Sequence, residues 1–428
     1  MSQQKKQWGA IIVMIALFAM IAFVTNLCSP MANIIKAQGD IPEVLAQIGN
    51  YGNFVAYLVM GIPAGIPAGM LIAKFGYKKT ALIGLTVGII GILVQWFSGM
   101  LDAKESLGLV FGVYLVGAFI AGFCMCILNC VVNPMLNLLG GGGNSGNQLI
   151  QLGGVFNSSA AVAVYIIMGA LIGEISKDTA ISDATPALMI ALAIFVIAFV
   201  VILFTKIEEP EQAPVEVSLI KGALKYRHFT LGILAIFLYM GIEVGVPTYV
   251  NMYLVNTPEL GISAATAGLI VAVYWFMMLI GRFVGASIGS KVSSRAMITT
   301  VSIATLVLVA FGMFSDPAST VEVPGIDWGT LTLIWAEVPV GIFAFLLVGL
   351  CTSVMWGGIF NMAVEGLGKY TAVASGIFMT MVFGCAVMLA IQAQVAEMTD
   401  YMTSYWVVMF CAAYILFYAL IGSKPAKK

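Results

Sequence analysis

IPAGMLIAKFGYKKTALIG, residues 66–84, places a short basic turn between two apolar runs. Lys74, Lys78 and Lys79 all lie in this turn, and Gly76 stands among them. The rest of the 428-residue chain is equally apolar, with 61% hydrophobic and 9% charged side chains. Because soluble domains carry about 25% charged residues, this composition indicates a chain that lies mostly in a lipid bilayer.

A membrane-spanning helix needs roughly 20 mostly apolar residues, and the sequence offers such runs in two sets of six. We number them spans 1–12 and place them near 9–35, 46–73, 80–99, 108–137, 148–173 and 187–205, then 229–254, 262–289, 296–315, 338–362, 371–393 and 401–422. The prediction is an all-α integral membrane protein with an N-terminal six-helix bundle (1–205), a linker (206–228) and a C-terminal six-helix bundle (229–428). Residues 327–337 are expected to form an interfacial loop or part of a helix.

The basic residues predict the orientation, since Lys and Arg remain on the cytoplasmic side during insertion. Of the 19 Lys and Arg residues, all but Lys36, Lys104 and Lys177 fall on one side of the twelve spans. Both termini and the linker are therefore expected in the cytoplasm. The first apolar run is too long for a secretory signal and lacks a small-residue cleavage site, so we interpret it as a retained span 1.

The two halves of the chain look like copies. Residues 281–298, GRFVGASIGSKVSSRAMI, repeat the pattern of the opening stretch, a glycine-rich helix end followed by a basic turn and a new apolar run. NPMLNLLGGGG at 133–143 likewise parallels GGIFNMAVEGLG at 357–368. Two pseudo-symmetric bundles with a site between them are typical of secondary transporters.

The opening stretch resembles the motif between helices 2 and 3 of the major facilitator superfamily. Gly69, Gly76, Lys78 and Lys79 fit this motif, which implies a gating or conformational role for them, but Lys74 stands where the motif usually has an aspartate. The departure leaves the motif's usual charge clamp without its acid.

Several longer stretches resemble the fucose, galactose and glucose symporter family within that superfamily. They are NPMLNLLG, VFNS, LYMGIEVGVPTYV, IGRFVG, MWGGIF and EGLGKYTAVASG. The resemblance implies proton-driven uptake of a neutral sugar. It also implies acids in spans 1 and 4 for sugar binding and proton coupling, but those positions fall here on Ser29 and Asn129. In span 5, Gly153 and Gly154 replace bulkier polar residues.

Glu243 is the carboxylate that the sequence places deep in a span. An ionisable group at that depth usually faces a cavity or a partner. Tyr239, Glu243 and Pro247 follow at intervals of four and share one helix face, so Glu243 is expected to bind the coupling cation, H⁺ or Na⁺, or sugar hydroxyls. A structural ion pair is the alternative. Arg282 lies nearer the cytoplasmic end, so we expect it to form a conformation-locking contact there rather than a direct pair with Glu243.

Other polar and aromatic side chains in the spans complete the candidate sugar site. Amides can bond sugar hydroxyls in either sense or join helices, and aromatic rings can stack on sugars or simply pack. The candidates, besides Glu243, are Asn26, Asn129, Asn133, Gln151, Tyr274, Trp275, Trp356 and Asn361. The small residues Ser29, Gly153, Gly154, Gly357 and Gly358 further predict a roomy cavity.

The function expected is import of a small neutral sugar (a monosaccharide, amino sugar or disaccharide) by a monomer in the bacterial inner membrane. An uncoupled uniporter and a non-transporting sugar sensor are the alternatives. A net charge of −1 without a basic stripe argues against nucleic-acid binding. The one histidine, His228, lies away from the clustered cysteines, so neither a metal nor another cofactor is expected. No set of nucleophile, base and oxyanion hole indicates an enzyme.

Overall fold

The computed structural model of the chain is built mainly from long helices. It describes residues 7–38, 48, 52–61, 66–101, 103–139, 143–172, 179–207, 209, 218–288, 292–327, 332–367 and 370–425. Within these residues, eleven helices are long and apolar enough to cross a membrane. The protein is therefore a multi-pass membrane protein, as the composition predicted.

The helices of the first half correspond to spans 1–6. They are α1 (Trp8–Ala37), α2 (Val55–Gly61, after a 3₁₀ turn at Gly52–Phe54), α3 (Ile66–Ser98), α4 (Ala103–Leu139), α5 (Gly143–Ile172) and α6 (Thr185–Phe204). Span 2 is described only in parts, as α2 and the start of α3, so the count of twelve spans stays a prediction. Helix α5 begins earlier than the predicted residue 148.

The second half begins with a short helix in the linker and continues with spans 7–12. Its helices are α7 (Ser218–Ala223), α8 (Arg227–Asn256), α9 (Ala264–Ile288), α10 (Ser294–Phe314), α11 (Val340–Val364), α12 (Thr371–Thr380), α13 (Gly384–Met398) and α14 (Tyr405–Phe417). A 3₁₀ turn at Met381–Phe383 joins α12 to α13, which together form span 11, and a π-helical turn at Tyr418–Gly422 ends span 12.

A β-hairpin between α10 and α11 departs from the all-α prediction. Strand β1 (Thr320–Asp327) pairs antiparallel with β2 (Thr332–Pro339), with Val323 opposite Ala336 and Pro324 opposite Trp335. Residue 327 and residues 332–337 of this segment are therefore strand, rather than the loop or helix expected. Side chains of β2 alternate between exposed and less exposed positions up to Glu337, which is the period of a strand with one covered face.

Helix packing brings the two halves together along two seams. Helix α9 packs against α5, and α12 packs against α2. Within the halves, α3 packs along α4 and α1 along α5, while α11 contacts α8, α9 and α10. On α11, a Cβ at Gly349 would overlap the Tyr274 carbonyl of α9, so these two helices approach as closely as glycine permits.

Candidate functional site

Glu243 lies near the middle of α8, beside the Tyr239 side chain one turn earlier. The Tyr239 ring is buried, and its hydroxyl donates to the Thr352 carbonyl of α11 at 3.3 Å. Pro247 lies inside α8, and because proline has no N–H, the carbonyl of Glu243 lacks the usual helical donor. The site thus combines a carboxylate, a phenol and a loosened backbone carbonyl.

Thr352 joins three helices at this point of the membrane. Its hydroxyl and that of Tyr274 on α9 are 3.0 Å apart, and its carbonyl accepts the Tyr239 hydroxyl of α8. Thr352 is fully buried on α11. Sequence reasoning missed this residue, although a hydroxyl in the middle of span 10 was a usable signal.

Aromatic rings line the same region. The Trp356 ring centroid is 6.2 Å from that of Tyr239 and 5.8 Å from that of Phe378 on α12. Trp275 packs edge-on against Tyr274 at 5.2 Å, and its buried indole N–H has no hydrogen-bond partner within the described part of the chain. The rings of Trp356 and Trp275 thus pack against those of Tyr239 and Tyr274, whose hydroxyls both bond Thr352.

Asn361 is the candidate that the structure leaves outside this group. It is exposed and lies close to the end of α11 at Val364. Gln151, another predicted sugar ligand, has a side chain outside the described residues, and so does Ser29.

Arg282 connects the candidate site with the first half of the chain. Its Nη1 donates to the carbonyl of Gly154 on α5. Its helix, α9, also packs against α8, which carries Glu243. The absence of a direct pair with Glu243 stays a prediction; the hydrogen bond that the guanidinium donates to Gly154 crosses the α5–α9 seam.

The amide candidates of the first half form hydrogen bonds within the protein. Asn129 Nδ2 on α4 donates to the Tyr57 hydroxyl of α2 at 2.8 Å. Asn133 Nδ2 donates to the backbone carbonyl of Asn129 at 3.1 Å, and Asn26 Nδ2 to that of Ala22 at 2.9 Å. Asn129 therefore joins two helices, whereas Asn26 and Asn133 bond to their own helices.

Gly153 and Gly358, two of the glycines expected to enlarge the cavity, are covered by neighbouring side chains. A Cβ on Gly153 would lie 2.9 Å from both Leu136 and Phe18, and one on Gly358 would lie 2.5 Å from Ile298. The expected cavity space is therefore absent at Gly153 and Gly358, where the small residues serve close helix packing instead, and a roomy cavity stays a prediction for Ser29 and Gly357.

The basic turn has an acid partner that sequence reasoning did not find. Gly76 has φ +79° and ψ 173°, which interrupts α3, and this conformation is available almost solely to glycine. Just after it, the N–H groups of Tyr77 and Lys78 donate to the two carboxylate oxygens of Glu209 at 2.9 and 2.8 Å. Glu209, in the linker, thus caps the helix that restarts after Gly76.

The same turn caps a second helix end in return. Lys78 Nζ donates to the carbonyls of Leu203 and Thr205 at 3.0 and 2.8 Å, where α6 ends. Lys79 is exposed, and Gly69 lies in the first turn of α3. The sequence did carry a signal for this double cap. Glu209 lies close in sequence to the end of span 6, and its charge is opposite to that of the basic turn.

Long apolar helices in two packed halves, with a buried polar group beside the seam, define a membrane transporter rather than an enzyme. The sequence model of the Major Facilitator Superfamily matches residues 9–391, and the chain belongs to this superfamily.

Full-length relatives carry transporter names. The chain is 27% identical to the glucose/galactose transporter of Brucella abortus biovar 1 (strain 9-941), over 99% of this chain and 96% of the relative. It is 23% identical to the L-fucose-proton symporter of Escherichia coli (strain K12), over 87% of this chain and 84% of that protein.

Solved structures share the fold. The Major Facilitator Superfamily transporter FucP in the outward conformation matches with a TM-score of 0.69 and 21% identity, covering 97% of this chain and 98% of that one. The inward open xylose transporter XylE from E. coli matches with a TM-score of 0.70 and 12% identity, covering 98% and 97%. At these identities the likeness establishes the fold.

Proposed function

We propose that this protein imports a small neutral sugar by alternating access, coupled to a cation through Glu243. It would act as a monomer in the bacterial inner membrane with both termini in the cytoplasm. The two moving bundles would be residues 1–205 and 229–428, joined by the linker 206–228. The observation that carries the proposal is the hydrogen-bonded group of Tyr239, Tyr274 and Thr352 on α8, α9 and α11, with Glu243 one turn from Tyr239 on the same face of α8.

The chemistry of the site supports a sugar as substrate. Hydroxyls and amides can both donate to and accept from sugar hydroxyls, and the Trp275 indole N–H is a buried donor with no partner among the described residues. The ring of Trp356 offers an apolar face of the kind on which a pyranose packs. The relatives named for glucose, galactose and fucose support a monosaccharide, as do the covered glycines.

Glu243 supports cation coupling because a carboxylate inside a membrane protein is costly unless it is paired or neutralised. Binding of H⁺ or Na⁺ would neutralise it during part of the transport cycle. Of the two, H⁺ is favoured by the name of the E. coli relative, a proton symporter. The motif residues Gly69, Gly76, Lys78 and Lys79, together with Arg282, would act in gating.

The test is uptake of labelled glucose, galactose and fucose into proteoliposomes with an inward H⁺ gradient, an inward Na⁺ gradient or neither. We expect accumulation above equilibrium with one of the gradients. Glu243→Gln should abolish this accumulation while sugar still equilibrates. Glu337→Gln is the matched control, since Glu337 is an exposed carboxylate on the hairpin, and it should accumulate sugar normally. Full accumulation by Glu243→Gln would contradict the coupling role.

Uniport is the second candidate, favoured by one specific observation. The position that carries a coupling acid in the resembling family is here Asn129, whose amide donates to Tyr57. Under uniport, wild-type protein would equilibrate sugar at the same rate with or without either gradient and would not accumulate it. Glu243→Gln would then change only the binding of the sugar.

A further inference from the structure

The Gly154 carbonyl on α5 is the acceptor for the Arg282 guanidinium of α9. A Cβ on Gly154 would lie 3.1 Å from Arg282 Nη1 and 3.4 Å from its Cδ. Glycine at this position therefore gives the guanidinium room to approach the helix backbone. The contact crosses the seam where α5 and α9 pack together.

Ser158, one turn further along α5, is left unsatisfied by this contact. Its hydroxyl is fully buried and has no hydrogen-bond partner within the part of the chain that the structure describes. A helical serine commonly donates to the carbonyl four residues earlier, which for Ser158 is Gly154. The neighbouring Ser159 does this, donating to Val155 at 3.0 Å.

The unsatisfied hydroxyl follows from the limited capacity of one carbonyl. A carbonyl oxygen has two lone pairs. In the helix, the Gly154 oxygen is in position to accept the backbone N–H four residues later, and Arg282 uses the remaining lone pair. Ser158 and Arg282 are thus competitors for one acceptor.

Glu243 is the alternative partner for Arg282. The two side chains carry opposite charges, their helices α8 and α9 pack against each other, and Glu243 belongs to the same half of the chain as Arg282. An ionised Glu243 attracts the guanidinium, whereas a Glu243 that has bound its cation does not.

We propose that the Gly154 carbonyl is a switched acceptor, held by Arg282 in one conformation and by the Ser158 hydroxyl in the other. With Arg282 on Gly154, α5 and α9 are latched together. When Arg282 turns to Glu243, the latch opens and Ser158 satisfies the carbonyl. The role of the latch in transport rests on the alternating access of the proposed function, but the exchange itself is a property of the folded chain.

The Ser158→Ala variant gives the test, with Ser159→Ala as the matched control. Removal of a buried hydroxyl that has no partner is expected to raise the unfolding temperature of the purified protein. The same change removes the group that stabilises the open latch, so sugar counterflow should slow about five-fold, the factor that corresponds to one hydrogen bond. Ser159→Ala should not slow counterflow.

Repeating the change in an Arg282→Met background, where residue 282 has no hydrogen-bond donor in its side chain, reverses the expected sign. Without the guanidinium, the Ser158 hydroxyl is free to bond Gly154, so Ser158→Ala should now lower the unfolding temperature and should no longer slow counterflow. The same sign of thermal shift in both backgrounds, or no shift in either, would overturn the proposal.

Counterflow tests the proposed function, and the thermal shift tests the exchange of partners at the Gly154 carbonyl. If wild-type protein moves no sugar, the proposed function fails, and the sign of the thermal shift in the two backgrounds still decides the exchange. If sugar moves but the thermal sign does not reverse, the exchange is wrong and the proposed function stands.

Discussion

Replacement of Gly76 by alanine should destabilise the protein for two separable reasons. The φ and ψ of Gly76, +79° and 173°, lie in a region that costs a non-glycine residue about 1–3 kcal/mol. A Cβ there would also overlap Oε2 of Glu209, so the carboxylate must leave the N–H groups that it caps. Loss of such a cap costs about 1 kcal/mol. Together, Gly76→Ala should cost about 2–4 kcal/mol.

A double-mutant cycle with Glu209→Ala distinguishes the two contributions. Glu209→Ala alone should cost about 1 kcal/mol, the value of the cap. In the double variant the cap can be lost only once, so the total should equal that of Gly76→Ala alone, with a coupling free energy of about 1 kcal/mol. The Glu209 carboxylate occupies the space that a Cβ on residue 76 would take, and such direct contact is the condition for non-additivity.

The assay is an unfolding titration in mixed detergent micelles, followed by circular dichroism. Gly108→Ala is the control, because a Cβ at Gly108 on α4 meets nothing within 4 Å, and it should be neutral or slightly stabilising. A cost below about 0.5 kcal/mol for Gly76→Ala, or additive costs for Gly76 and Glu209, would refute the reasoning.

Two further predictions concern helix ends. Lys78→Met should lower the stability in the same titration by about 0.5–1 kcal/mol, because its ammonium group caps the end of α6, whereas Lys79→Met, a change at an exposed neighbour, should be neutral. For Asp400, which lies between α13 and α14, partial burial opposes ionisation, but hydrogen bonds from Thr403 outweigh this and lower the pKa of the carboxyl. A lowered folded-state pKa means that the stabilisation is present above the unfolded-state pKa of about 4 and is lost as pH falls through the folded-state value. Wild type should therefore unfold at a higher temperature than Asp400→Asn at pH 7, and the difference should shrink at pH 3; a gap that stays constant with pH would contradict this.

Most of the helices could be predicted from the sequence because each apolar run is long enough to cross a bilayer. Helices α6 and α10, for example, lie within a few residues of the predicted spans 6 and 9. The hairpin could not be found in this way. Its strands are short, and alternation over so few residues next to the apolar start of span 10 does not separate a strand from a loop or a helix.

Part of the candidate site could be predicted from one residue, Glu243, because an ionisable side chain is unusual in a membrane span. Glu243 stands out as a carboxylate in an apolar run, and its position beside Tyr239 follows from their spacing on one helix. Thr352, Ser158 and Glu209 did not stand out, because their importance depends on which neighbouring helix or turn each one meets. That information lies in the rotation and depth of the packed helices, which hydrophobic periodicity does not specify.

The most direct test of the central proposal, sugar transport by alternating access, is counterflow with purified protein. Proteoliposomes loaded with unlabelled glucose, galactose or fucose are diluted into a trace of the same labelled sugar, with no ion gradient. We expect a transient accumulation of label for at least one of these sugars, since a carrier that reorients while loaded exchanges sugar for sugar whether or not it is coupled. Correctly folded protein that shows no transient accumulation with any of the three would contradict the proposal.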